Sequence, residues 1–144
     1  MRVLVQEVPF DPVEIVRGMG EDGETGALVT FTGLVRGDGG TSAMEIEHYP
    51  GMTERAIEEF ARQAMERFGL TDVAVVHRHG RLTPGEPIMM VATAAPHRTD
   101  AFAAAEFLMD WLKSRAPFWK KEERPEGSEW VEAKGEDEDA LGRW

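Results

Sequence analysis

Four cations fall within nine residues at Lys113-Ser-Arg-Ala-Pro-Phe-Trp-Lys-Lys121, with no acid among them, in a chain whose sixteen lysines and arginines face twenty-seven aspartates and glutamates. A positive patch kept in a protein of formal charge -11 is a candidate for holding an anion or moving a proton. Clustered cations stabilise negative charge, and a lysine crowded by other cations loses its proton more readily, which suits a general base. The plainer alternative is that lysine and arginine near a helix C-terminus only complement the helix dipole. Arg36, closing an apolar run, and His97-Arg98, just before Thr99-Asp100, could join the patch, since a helix N-terminus offers free N–H groups to a phosphate. Taken singly, each also reads as a solvated arginine or a surface or capping histidine.

Other chemistries find less support. His77 and His79 share one strand face and, with His48, invite a metal reading, but no cysteine or HExxH spacing accompanies them. Trp111, Phe118 and Trp119 could stack on a planar ligand, although Trp111 is better read as core. Gly37-Asp-Gly-Gly40 lacks the spacing of a phosphate-binding loop, no GxGxxG precedes a helix, and Ser42, Ser114 and Ser128 have no nucleophile-elbow sequence. Nucleotide hydrolysis and serine hydrolysis are thereby set aside. With no cysteine in the chain there is no thiolate zinc site, iron–sulfur cluster, disulfide or cysteine nucleophile, so any sulfur used here must come from outside.

The elements that must position these groups follow from pattern. Met1 to Val8 reads as a strand. Asp11-Pro12-Val13-Glu14 supplies a capping acid, a first-turn proline and a capping-box glutamate for a short helix over 12–19. The run 27–36 is rich in β-branched and aromatic residues and predicts a strand, the glycine-rich 37–41 a turn, and 44–49 a second strand, most simply joined to the first as a hairpin. A helix begins near Thr53, with Ala56, Ile57, Phe60, Ala61, Ala64, Met65 and Phe68 along one face. Strands over 73–79 and 88–95 flank Leu82-Thr-Pro-Gly-Glu86, where Pro-Gly suits a turn, and should pair antiparallel. A long helix over 99–115 places Glu106, Asp110 and Lys113 on its wet face, and Pro117 stops it. Residues 129–133 read as a last short strand and 135–139 as an acidic run with little to bury.

Strands separated by turns, with helices interspersed, indicate an α+β protein with a largely antiparallel sheet. At 144 residues the chain is expected to hold one domain over 1–134, followed by a flexible acidic tail over 135–144. The negative charge makes nucleic acid and anionic membrane poor partners. No run approaches the roughly 20 apolar residues of a membrane span, and the N-terminus has no signal-peptide pattern, so a cytoplasmic protein is expected.

GALVTFTGLVR (26–36), EHYPGMTE (47–54), HRHGRLTPGE (77–86), Pro96-His97-Arg98, KSRAPFWKKE (113–122) and PEG followed by WVEA (125–133) together resemble the large, catalytic subunit of molybdopterin synthase, in order and over nearly the whole chain. The resemblance implies an α/β-hammerhead fold, with a largely antiparallel sheet, packed helices and a smaller β subdomain. It also implies a sulfurtransferase of molybdenum cofactor biosynthesis, adding two sulfurs to cyclic pyranopterin monophosphate to make the dithiolene of molybdopterin. The sulfur would arrive as the C-terminal Gly-Gly thiocarboxylate of a small ubiquitin-like subunit, with two large subunits forming a homodimer inside a heterotetramer. No resident cofactor or metal is implied.

Carried over by position, Lys113 and Lys120 match the family's catalytic lysines. Leu34, Val35, Arg36, His97, Arg98, Lys121, Glu122 and Lys134 match the substrate-binding segments. Arginine suits the cyclic phosphate because its planar fork donates two hydrogen bonds to one anion. Lys134 stands where an arginine reaching from the neighbouring subunit is expected, and the 38–41 loop is short; both are departures from the family's pattern. A non-catalytic scaffold that merely docks an anion, and a metal-dependent hydrolase built on His48, His77 and His79, remain the rival readings.

Overall fold

The computed structural model describes residues 1–131 and 135–144. Lys134 and the end of the strand expected over 129–133 lie outside the described residues. Along the chain run β1 (Arg2–Gln6), α1 (Pro12–Val16), β2 (Ala27–Leu34), β3 (Ala43–His48), α2 (Met52–Phe68), β4 (Asp72–Arg78), β5 (Gly80–Leu82), β6 (Pro87–Ala95), α3 (Arg98–Ser114), β7 (Phe118–Arg124), β8 (Gly127–Trp130) and α4 (Gly135–Leu141). Two four-stranded sheets result, one ordered β1-β4-β6-β2 and a smaller one ordered β5-β3-β7-β8. Among the described residues only β1 and β4 pair in parallel; the other pairings are antiparallel. The expected α+β class with a second, smaller β unit is what the structure shows.

The period of two in β4 decides which layer each residue serves. Val73 and Val75 face α2 and α3, packing with Ile57, Phe60, Ala61, Ala64, Phe107 and Leu108. Ala74 and Val76 face the other way, against Ile15 of α1, Met90 and Ala92. Each valine or leucine so enclosed contributes about 2 kcal/mol relative to exposure. Ala101, Ala104 and Ala105 are buried on the inner face of α3, and small residues there let the helix lie close to the sheet. Thr93, fully buried, donates from its hydroxyl to the Ala101 carbonyl at 2.7 Å, pinning the first turn of α3 to β6. Gly26 passes so near β6 that a Cβ would sit 2.3 Å from the Pro96 carbonyl oxygen, so no side chain fits there.

Two expectations are corrected. The hairpin between the strands near 27–36 and 44–49 does not form, because β2 pairs β6 while β3 pairs β5 and β7. After β2 the Val35 backbone bonds instead to the turn at 85–86, accepting from Gly85 at 2.9 Å and donating to the Glu86 carbonyl at 3.0 Å, and the chain crosses to the second sheet. The first helix stops at Val16, with Arg17 extended (ψ 125) and Gly18 left-handed (φ 84), rather than running to Met19.

Beyond residue 134 no residue of α4 is buried, as the acidic composition predicts, yet the helix packs on α3, and Trp144 sets its ring edge-on to Phe68 and Phe107, with centroids 5.8 and 5.6 Å away. The Trp144 indole N–H and the Arg143 guanidinium both donate to Asp110, and Arg115 pairs with Glu138 at 2.6 Å. A composition dominated by acids concealed the one terminal aromatic that anchors them.

Candidate functional site

Two stretches distant in sequence meet at a hydroxyl. Thr53, fully buried at the start of α2, accepts from the Tyr49 N–H at 2.9 Å and donates to the Pro117 carbonyl at 3.0 Å. The 47–54 turn is thereby tied to the loop between α3 and β7, which carries the basic patch. Gly51 at φ 83, a left-handed backbone that favours glycine, allows the turn, and Glu54 accepts the Gly51 N–H. The start of β7 is thus fixed before its side chains are placed.

Along β7 the pleat sorts the patch in two. Phe118 and Lys120 lie on the face that lines a cavity of about 510 Å³, together with Lys113 and Leu112 of α3, Arg36 and Leu34 at the end of β2, His77 of β4, and Asp137 of α4. Three cations from three elements, Lys113, Lys120 and Arg36, therefore ring one concavity with an apolar floor that includes Ile88 and Met89. Trp119 and Lys121 point to the opposite face. There Lys121 lies 5.5 Å over the Trp130 ring, and Trp119 tilts toward Tyr49.

Arg36 is held at the cavity rim by the turn over 83–86, to which its neighbour Val35 is bonded. The Arg78 guanidinium, almost wholly buried, donates to the Glu7 carbonyl and to Glu86 at 3.2 Å. Glu86 also accepts from the Thr83 N–H and hydroxyl, and these donors keep its carboxyl below the ordinary range. That rigid turn bonds Val35, the neighbour of Arg36. Arg36 itself is exposed, 3.8 Å from Asp38, with its fork free to meet a ligand from solvent.

The remaining residues expected at the site are dispersed within one protomer. Leu34 lines the cavity, whereas Val35 is buried beneath it. Glu122 pairs with Arg124 at 2.6 Å, farther along β7. His97 caps α3 without a side-chain bond, and both it and Arg98 are exposed. They stand at the opposite end of α3 from Lys113, about 22 Å along the helix at 1.5 Å per residue.

His77 belongs to the site in a way the sequence did not disclose. Only 5% exposed, its ring stacks on Phe118 with centroids 3.7 Å apart, and Nδ1 donates to the Arg78 carbonyl at 2.7 Å. Burial first, and then the charges of Lys120 and Lys113, push its pKa down to about 3, so the ring is neutral with its proton on Nδ1. The available signal was a histidine ending the apolar run VAVV (73–76), a place where a packed, neutral ring is expected. His79 instead stacks on His48 at 4.1 Å. The strand face assigned to His77 and His79 together is split, since each ring has a different aromatic partner.

The family model described as MoaE protein matches residues 5–115. The chain is 61% identical over its whole length to the molybdopterin synthase catalytic subunit of Cereibacter sphaeroides, all of which it covers. It is 47% identical to the protein of the same name from Escherichia coli K12, with 99% of this chain and 97% of that one aligned. Among solved structures, it superposes on a molybdopterin biosynthesis MoaE protein from Burkholderia ambifaria with TM-score 0.84 at 50% identity, covering 99% of this chain and 97% of that one. A molybdopterin synthase from Staphylococcus aureus gives TM-score 0.82 at 31% identity, over 90% and 96% of the two chains.

Proposed function

Because this chain belongs to the MoaE protein family, we propose that it is the catalytic subunit of a molybdopterin synthase, a sulfurtransferase of molybdenum cofactor biosynthesis. It acts on cyclic pyranopterin monophosphate in the cavity lined by Lys113, Lys120 and Arg36. The observation that carries this reading is the convergence of those three cations, from α3, β7 and the end of β2, on one cavity in a chain of net charge -11. Arg36 at the rim suits the cyclic phosphate, since a guanidinium binds it through two hydrogen bonds. Lys113 and Lys120, deeper and beside the neutral His77, suit proton transfer and stabilisation of the charge that develops as sulfur attacks. A transient covalent link to one lysine is compatible with the same placement.

Sulfur comes in on a second protein. The family resemblance implies that the donor is the C-terminal thiocarboxylate of a small ubiquitin-like subunit, whose extended Gly-Gly end is narrow enough to enter the cavity, and the absence of cysteine from the chain agrees with sulfur brought from outside. His97 and Arg98 reach substrate through a homodimer. β2 is an edge strand, and beside it Phe31, Leu34 and Phe102 are exposed, Phe102 at 59%. A two-fold axis there would set the two α3 helices antiparallel, bringing His97 of the partner subunit and Arg98 of the partner subunit toward Lys113. Residues 1–134 then work as one catalytic domain, with Asp137 of the 135–144 segment on the cavity lining.

Reconstitution tests this reading. Purified chain, thiocarboxylated small subunit and cyclic pyranopterin monophosphate should yield molybdopterin, detected as its fluorescent oxidised pterin, and Lys113→Ala should abolish it. A folded dimer that binds the small subunit yet makes no product would leave a scaffold without the chemistry.

A further inference from the structure

We propose that the stacked His48–His79 pair is a positioning element for the catalytic cavity, a proton-sensitive brace that holds the start of β7 in place only while the pair carries fewer than two protons. The inference rests on the sulfurtransferase reading above and adds to it a pH dependence built into the fold. His48 closes β3 in the smaller sheet, and His79 occupies the single-residue step between β4 of the first sheet and β5 of the smaller one. Their rings lie 4.1 Å apart, tilted by 28°, so the contact spans the junction of the two sheets. The His79 backbone N–H donates to the Gln6 carbonyl at 3.0 Å, which fixes that end of the stack to β1. From the other end two tethers run to the cavity. His48 stands opposite Phe118, a lining residue, in the β3–β7 register, and the turn that follows His48 holds Pro117 through the Thr53 hydroxyl.

Charge decides when the brace holds. Glu54 at the start of α2 sets one carboxylate oxygen 3.9 Å from the His48 Nε2 and accepts the Gly51 N–H with the other, so a shift of His48 is passed to the turn. Glu7, just after β1, and Glu54 favour a proton on His79, while Arg78 of β4 opposes it. His77 of β4 also feels the His79 charge, and Lys120 stands opposite Ile46 on β7, one pleat from His48. Burial first, and then His48, keep the His79 pKa below the ordinary histidine value against the two carboxylates. One proton on the pair has a carboxylate on either side to meet it. A second sets two like charges face to face, with Arg78 adding to the repulsion, and the stack is opposed. Because His79 titrates low in the folded chain, the unstacked form binds more protons. The brace is therefore lost as pH falls below the ordinary histidine value and regained as it rises.

The test follows kcat of the reconstituted synthase from pH 8 to pH 5.5 in wild type, His79→Phe and His48→Phe, each protein normalised to its own value at pH 8. Phenylalanine keeps a stacked ring and takes no proton, so both variants are relieved of the second charge. Groups outside the pair titrate alike in all three proteins, and His77, titrating near 3, stays neutral throughout. Wild type should lose about fivefold more activity than either variant by pH 5.5. Parallel profiles in the three proteins would overturn the inference. A second readout needs no turnover: by NMR the His79 titration midpoint should rise in His48→Phe, and the Phe118 ring resonances should move with the His79 titration in wild type and stay in place over that range in His79→Phe. An unchanged midpoint, or Phe118 resonances that ignore the titration, also overturns it. Phe118 resonances that follow it in a protein that makes no product support the brace and remove only the sulfur-transfer reading.

Discussion

Replacing His77 by phenylalanine should make the protein less sensitive to acid, by an amount set by the burial of one ring. In the folded chain His77 is 5% exposed and titrates near 3 instead of 6.5. Between those values the unfolded chain carries a proton on this ring and the folded chain does not, so the unfolded state binds more protons and stability rises with pH. Read downward, the loss begins as pH falls through about 6.5, grows by about 1.4 kcal/mol per pH unit, and levels off near 3. At pH 5 it amounts to about 2 kcal/mol relative to pH 7, and the full interval is worth about 5 kcal/mol.

Urea unfolding of wild type and His77→Phe at pH 7 and pH 5, at one protein concentration, isolates this contribution. Phenylalanine keeps the stack on Phe118 but loses the 2.7 Å bond to the Arg78 carbonyl, a cost that is the same at both pH values and cancels in the double difference. The carboxylates titrate alike in both proteins and cancel too. The wild type should therefore lose about 2 kcal/mol more than the variant, or about 1 M in midpoint at a slope of about 2 kcal/mol per M. A double difference under about 0.5 kcal/mol would mean that protons reach the ring in the folded state.

Other substitutions separate chemistry, binding and assembly. Lys113→Ala and Lys120→Ala should each reduce single-turnover product formation by about 100-fold or more while circular dichroism and small-subunit binding stay unchanged. Arg36→Ala, at the rim, should act chiefly on KM for the phosphate-bearing substrate, by about 10-fold, with kcat nearly kept; an equal fall in kcat would move Arg36 into the chemistry. Trp144→Ala removes two edge-on ring contacts and the bond to Asp110, and should cost about 2 kcal/mol, lowering Tm by about 6 °C in a calorimetric scan. Phe102→Glu, on the exposed flank of α3, should leave a folded monomer in sedimentation and abolish turnover; an intact dimer would move the two-fold axis elsewhere.

How much of this was legible in the sequence depends on the range of the interaction. Local signals were sufficient for α2 and α3, because a stripe repeating every 3.6 residues is written within one helix, and for the antiparallel pairing of β4 and β6, because two apolar runs flank a Pro-Gly turn. Pairing across long separations was not written locally. Nothing in Gly37-Asp-Gly-Gly40 says that β3 leaves β2 and pairs β7, some seventy residues on, and the hairpin expectation failed for that reason. Lys113, Lys120 and Arg36 were visible as an anomaly of charge, but their convergence depends on the Thr53 bond to Pro117 and the Arg78–Glu86 brace, both tertiary. His77 was visible as a residue and the metal reading was set below a packed or surface histidine, but only the Phe118 stack shows what its ring faces.

The placement of the cations also bears on why activity should depend on assembly. One protomer gathers Lys113, Lys120 and Arg36 at the C-terminal end of α3, while His97 and Arg98 stand at its N-terminal end. A 17-residue helix is stiff and spans about 25 Å, so no motion of a single folded chain brings the two sets together. If both hold one substrate, as the resemblance implies, a second copy must supply the far set, and an antiparallel pair of α3 helices does so at both sites simultaneously. Mixing Lys113→Ala with Arg98→Ala decides the matter: two dimers that are each impaired should regain, in the heterodimer, one site with both residues intact. Activity returning toward about a quarter of wild type is expected from one restored site in half of the dimers at random exchange. No recovery on subunit exchange would place His97 and Arg98 outside the site altogether.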